Sequence, residues 1–433
     1  MAAKLAVLLG IVLPLAASAA RGEGGLPSAD QLVKESKTRA RATPSVAAGR
    51  NETPEVGGLW GAFSTADLPA LRKAGVPLYD PVASGGGAAV FRMSKDDLPA
   101  ISRVMHEQFN RCGGFFASDT RSKAEAALAP APAAAKAVEY TIDQQAWLRP
   151  ILSRVQESSL RSTIETLAAY NNRYYEADTG VEAARWIASR WGELGKSFPG
   201  ASVALVSHSG WKQPSVVLTI PGTDLKDEVV VLGGHEDSIN LDGGSEARAP
   251  GADDNASGIA TLTEALKVLG QAGFRPRRTV EFMGYAAEEE GLRGSQDIVE
   301  GYAGKKVVGV IQFDMTNFKG ADNDMYFLTD NVDNDLTAFL ERLADEYLKI
   351  KWGTIECGYG CSDHASWNRA GFPASCAFES TMEGMDSHIH TENDTLANSG
   401  GDARHSVNFA KLAIAFAGEL GKNGASFKAA AAK

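Results

Sequence analysis

The stretch Val229-Val230-Val231-Leu232-Gly233-Gly234-His235-Glu236-Asp237-Ser238 decides the fold. A strand with one wet face alternates apolar and polar residues, whereas a strand covered on both faces runs continuously apolar, as here. Working outward, comparable runs stand at 202–206, 215–220, 279–285, 307–313 and 325–328. Between and after them lie segments of helical spacing at 257–272, 295–302, 335–348 and 403–420. Ahead of them come 144–152, with Pro150 expected to break it, then 158–168 and 181–194. Buried β-branched strands alternating with helices predict an α/β domain with a mostly parallel, mixed sheet flanked by helices.

The 433 residues suffice for a sizeable core, and 44% apolar with 22% charged residues is ordinary for a folded chain. Asp and Glu outnumber Lys and Arg by 54 to 43, for a formal charge of −11, which argues against a nucleic-acid partner. Upstream of the α/β region the texture differs. Residues 1–20 combine Lys4, an apolar run from Leu5 to Leu15 and Ala17-Ser18-Ala19, which reads as a secretory signal peptide. The run is too short to span a bilayer and Pro14 interrupts it, so a protein outside the cytoplasm, extracellular or periplasmic, with no membrane contact after processing, is expected. Residues 54–116 look like a small compact unit, and the Ala/Pro-rich stretch 122–136 reads as an exposed, cleavable linker. The expected organisation is therefore signal 1–20, amino-terminal segment 21–136 and main domain 137–433.

In open α/β sheets functional residues gather at the carboxyl ends of strands. Here one strand runs into His235-Glu236-Asp237, a second into Glu288-Glu289-Glu290 and a third into Asp314-Met315-Thr316-Asn317. Pro250-Gly251-Ala252-Asp253-Asp254-Asn255 opens a helix, and His388-Ile389-His390 lies near the end. Taken singly each has a plain explanation: a surface pair, a helix cap, a solvated acidic face. Their coincidence between positions 235 and 390 is the signal. Imidazoles with carboxylates suit zinc; one carboxylate can bridge two ions, and another is left to take a proton from water. Asp237, two residues after His235, is placed to hold that ring's second nitrogen.

The strings GGHEDS, PGADDNASG, YAAEEEGLRGS, QFDMTN, CGYGCSDHASW and HIHTENDT, in that order across about 140–420, resemble the co-catalytic dizinc aminopeptidases of the bacterial leucyl aminopeptidase type. The upstream MHEQFNRCGGFF, residues 105–116, is similar to the end of the pro-segment of such enzymes. The resemblance implies the zinc-dependent exopeptidase fold, preceded by a small α+β pro-domain, and two Zn2+ per catalytic domain. Carried over, Asp254 would bridge the zincs, His390 and Glu289 would complete one shell, and His235 and Asp314 the other. Glu288 would be the general base and acid acting with a bridging hydroxide, and Tyr359 would stabilise the tetrahedral oxygen. Cys357 and Cys361 match a disulfide, and the Asp254–Asn255 peptide is expected to be cis.

The family's pocket for the first side chain maps onto Met315, Leu328, Tyr359, Cys376, Phe378, Met382, Met385 and Ile389, soft and apolar enough for leucine. Cys376 and Met382 depart from the larger apolar and aromatic residues usual there. Cys112 and Cys376 are expected as buried thiols rather than a second disulfide. The activity implied is removal of amino-terminal leucine or another bulky apolar residue from peptides, by a secreted monomer made as a zymogen. The competing readings are a related zinc enzyme on the same scaffold, such as a carboxypeptidase, dipeptidase or glutaminyl cyclase, and a binding module that has lost catalysis. The complete five-ligand set argues against a cyclase-like site, which uses one metal, and the retained ligands and base argue against a module without catalysis.

Overall fold

An eight-stranded sheet organises the main domain. Before it, the chain forms β1 (Gly58–Ser64), β2 (Ala83–Gly85), β3 (Ala88–Ser94) and β4 (Phe116–Ser118). It then forms β5 (Ser202–Val206), β6 (Ser215–Ile220), β7 (Leu225–His235), β8 (Arg278–Tyr285), β9 (Lys306–Phe313), β10 (Met325–Leu328), β11 (Trp352–Ile355) and β12 (Ala374–Phe378). The computed structural model describes residues 58–109, 111, 113–129 and 138–424. The signal reading of 1–20, the polar stretch to residue 51, the linker from 130 to 136 and Cys112 lie outside the described residues.

The order of the large sheet is β11-β10-β12-β9-β7-β8-β6-β5. The middle four, β12, β9, β7 and β8, are parallel, while β5, β6 and the β10–β12 pair are antiparallel. The apolar run in β7 is explained by its two covers. Val230 and Leu232 share a core with the Ala256–Gln271 and Ser406–Gly421 helices, and Val229 and Val231 share one with Ile298, Val299 and Trp367 on the other side. Among the described residues no helix is long and apolar enough to cross a membrane.

The 335–348 segment splits into the Asn334–Leu343 helix and a π turn at Ala344–Leu348. Pro150 does not break its helix: Gln145–Leu152 continues two residues beyond it, with Trp147, Leu148, Ile151 and Leu152 buried. Apolar anchoring there outweighs the amide lost at proline.

Residues 58–129 build a separate antiparallel sheet, β2-β3-β1-β4, with its own core of Leu59, Phe63, Phe91, Leu98, Ile101 and Met105. This unit docks on the main domain through a shared apolar cluster, in which Ala62, Phe116 and Ala124 meet Leu292 and Ala365. Ion pairs Arg293–Asp119 (3.1 Å) and Lys123–Asp297 (3.3 Å) flank it. The first part of the expected linker is structured and partly buried: Arg121–Ala126 is a helix with Ala124 fully buried and Arg121, Ser122 and Ala126 exposed. Ala124, with Ala127 just past the helix, packs in that shared cluster, which composition alone does not reveal.

Candidate active site

Three parallel strands finish level with one another. His235 is the last residue of β7 and pairs in register with Tyr285, the last of β8, while Gly233 pairs with Gln312 of β9. Glu288 and Glu289 follow β8 by three and four residues, and Asp314 follows β9 directly. The fourth contributor is the loop that opens the Ala256–Gln271 helix. Asn255 caps that helix through the Gly258 amide (2.9 Å). The same side chain accepts from the Met315 amide (3.2 Å) and donates to the Phe313 carbonyl (3.0 Å), which ties the loop to the end of β9. Asp394 accepts the amides of Asp253 (2.9 Å) and Asp254 (3.0 Å) on its two oxygens, and the Asp254–Asn255 peptide is cis.

These anchors converge five side chains on one buried point. Asp254 Oδ1 lies 2.9 Å from His235 Nε2, and its Oδ2 lies 3.1 Å from His390 Nε2. Asp314 Oδ1 is 3.2 Å from His235 Nε2, and Glu289 Oε2 is 2.9 Å from His390 Nε2. Asp254 thus stands between a His235–Asp314 half and a His390–Glu289 half. Ligand atoms of His235, Asp254 and Glu289 all lie within 4.8 Å of one another. Burial works against the charge on Asp254, yet hydrogen bonds from the two histidines outweigh it and hold the carboxyl well below the usual range. Burial, with the Asp254 charge, pushes Glu289 up to about 7. Two imidazoles and three carboxylates in two mixed sets fit zinc, and so dense a group of buried acids calls for cationic compensation.

Asp237 sits beneath. One oxygen is 3.4 Å from His235 Nδ1 and accepts the Glu288 amide (3.1 Å), while the other accepts the Glu289 amide (3.3 Å). A single carboxylate therefore orients an imidazole and the two following glutamates. Glu288 is 1% exposed, and neither of its oxygens has a hydrogen-bond partner among the described residues. Burial, reinforced by Asp314 and Glu289, pushes its pKa well up.

Of the apolar positions singled out in the sequence, Met315, Phe378, Met385 and Ile389 form one buried cluster with Met382 and Ile355 against it. Ile355 carried no signal beyond an ordinary apolar residue. Leu328 and Cys376 are buried but lie outside that cluster, and Cys376 is a free thiol. Cys357 and Cys361 form a disulfide with Cα atoms 6.3 Å apart. Tyr359, inside that small ring, is partly exposed; its carbonyl accepts from Asn331 Nδ2 (2.9 Å), and Arg111 stands 5.1 Å from its ring centre.

Two supporting residues went unread. Asp394 lies inside the HIHTENDT string but carries no chemical signature of its own. Arg173, fully buried, donates to the carbonyls of Leu167, Glu236, Pro250 and Gly251, and so pins the loop before Asp254 to the end of β7. A lone arginine in a tyrosine-rich segment gave no hint of this.

The model of "Peptidase family M28" matches residues 215–416. A probable leucine aminopeptidase of Trichophyton verrucosum (strain HKI 0517) is 39% identical over 360 residues, covering 82% of this chain and 98% of that protein. One of Arthroderma otae (strain ATCC MYA-4605 / CBS 113480) is 41% identical over 286 residues, 64% of this chain and 77% of that protein. Among solved structures, the LapA aminopeptidase of Legionella pneumophila is similar with a TM-score of 0.75 at 28% identity, covering 86% of this chain and 100% of that one. LapB from Legionella pneumophila matches at a TM-score of 0.73 and 27% identity, covering 84% and 100%.

Proposed function

The chain belongs to peptidase family M28 and is a leucine aminopeptidase-like peptidase, and on that premise we propose that it is a secreted, monomeric, zinc-dependent aminopeptidase. It removes leucine or another bulky apolar residue from the amino terminus of peptides. The observation that carries this reading is the position of Asp254, whose two oxygens each face a different histidine. His235 and Asp314 would hold one Zn2+, His390 and Glu289 the other, with Asp254 shared. When bound, such a pair supplies Lewis acidity to the scissile carbonyl and makes a water acidic enough to attack at neutral pH.

The rest is done by the chain itself. Glu288 takes the proton of the attacking water and returns it to the departing amine. Asp237 keeps Glu288 and His235 in place through the contacts described above. The Tyr359 hydroxyl donates to the oxygen of the tetrahedral adduct. Met315 directly follows Asp314 and Ile389 directly precedes His390, so the apolar cluster that receives the first side chain is covalently contiguous with both ligand halves. The disulfide and the 1–20 signal agree with an oxidising destination, and residues 21–136 are the pro-segment.

Full chain, before and after limited proteolysis within 122–136, is assayed on leucine anilide. Activity is expected to fall with a chelator and return with zinc. Glu288→Ala should lower kcat by about 10²–10⁴-fold while both metals stay bound by atomic absorption. Wild-type turnover by that variant would remove Glu288 from the mechanism. Continued cleavage of substrates with a blocked amino group would make the enzyme something other than an aminopeptidase.

A further inference from the structure

The Leu98–Phe109 helix of the amino-terminal unit lies directly over the candidate metal centre. Ser102 Oγ donates to the Glu289 carbonyl (3.2 Å). Arg103 donates to the Leu241 carbonyl and pairs with Asp242 (3.0 Å), and the Leu241 amide in turn bonds the His390 carbonyl (3.0 Å). One helical turn beyond Ser102 stands His106, with its ring centre 4.8 Å from that of His390 at an interplanar angle of 52°. Its Nδ1 is buried and has no hydrogen-bond partner among the described residues. A buried ring nitrogen without a partner is costly unless something binds it. Two imidazoles sharing one tetrahedral ion, each about 2.0–2.1 Å from it, have ring centres roughly 5 Å apart, close to the separation observed.

The same segment continues across the site. Gly113 passes so near Glu288 that a methyl group there would lie 3.8 Å from the Glu288 carbonyl, and the Ala117 amide bonds the Gly291 carbonyl (3.1 Å). Arg111, held by Asp67 (2.7 Å), covers the Tyr359 ring. The unit is thus clamped on both sides of the metal centre.

We propose that His106 is a ligand of the His390–Glu289 metal in the intact chain, so that the amino-terminal unit occupies the coordination position a substrate needs. The inference rests on the metal reading above. Latency is then held by a donor atom and released when the helix leaves.

The test uses full-length chain loaded with Co2+. The visible spectrum and the rate of Co2+ loss to a chelator are compared for wild type, His106→Ala and Ser102→Ala, with melting curves to verify folding and docking. His106→Ala is expected to shift the d–d bands and to speed Co2+ loss on the order of tenfold, and added imidazole should restore the wild-type spectrum. Ser102→Ala, which loosens the same helix but keeps the ring, should leave the spectrum unchanged. Identical spectra and loss rates for wild type and His106→Ala would overturn the proposal. So would a Ser102→Ala spectrum matching that of His106→Ala, because packing would then explain both. If His390→Ala binds Co2+ as wild type does, the metal reading itself fails and takes this inference with it.

Discussion

His364 shows how a single buried side chain links stability to pH. It starts the His364–Arg369 helix with no exposed surface, and neither ring nitrogen has a hydrogen-bond partner among the described residues. Burial lowers its pKa to about 3, whereas an unfolded histidine titrates near 6.5. Below about pH 6.5 the unfolded chain takes up a proton that the native chain refuses, so stability present at pH 7 is lost as pH falls toward the folded value. Replacing the ring by leucine removes this linkage. Between pH 7 and pH 5 wild type should lose about 2 kcal/mol relative to His364→Leu, measured by urea unfolding of both proteins at each pH. An equal pH dependence of the two would show that the native ring takes up a proton as readily as the unfolded one. Not every suggestive residue constellation is chemistry: His208 lies 3.1 Å from Asp297 and 2.7 Å from Ser215 Oγ, the layout of a nucleophilic triad. Ser215 has no exposed surface and its oxygen accepts the Ala286 amide (3.0 Å), so the trio is a strut between β6 and the Arg293–Glu300 helix.

At the scale of elements, the site depends on how tightly the Ala256–Gln271 helix approaches β9. Gly258, in the first turn, sits where an added Cβ would come 2.3 Å from both Asn255 Oδ1 and the Phe313 carbonyl. The second of these is backbone at the end of β9, a central strand held on both sides by β7 and β12, and cannot step aside. Gly258→Ala should therefore push the helix start away from β9, costing about 1–3 kcal/mol and separating Asp254 from Asp314. Urea unfolding and metal content measure the two effects, and a variant of unchanged stability would mean the loop has more room than it shows. Most elements were legible from periodicity, because β7, β8 and β9 are covered on both faces and the helices bury one side. β12 was not. Its sequence, Ala374-Ser375-Cys376-Ala377-Phe378, has small residues where a strand usually shows β-branched ones. It is a strand because β9 and β10 both pair with it, and that is a property of its neighbours.

For the whole molecule, the consequence of gathering Asp254, Glu288, Glu289 and Asp314 in one buried site is mutual repulsion, which bound cations would offset. Metal bound to the native but not the unfolded chain adds about 2.7 kcal/mol at a hundredfold excess over Kd. Stripping the metal should therefore lower the Tm by several degrees, read by calorimetry with and without chelator and reversed by added zinc. An unchanged Tm on full removal would mean that these carboxylates carry no ion.

What the sequence by itself determined was the chemical inventory: apolar strands ending in His235, Glu288 and Asp314, a loop at Asp254, and a late His390. Local pattern encodes these because strand burial and turn chemistry act over a few residues. Only the tertiary structure decided that Asp254 faces His235 with one oxygen and His390 with the other. It alone decided that Asp237 ties His235 to Glu288, and that His106 stands over His390. Such pairings join residues far apart in the chain, and they arise from strand order, crossover helices and docking of the amino-terminal unit, none of which a short window of residues contains.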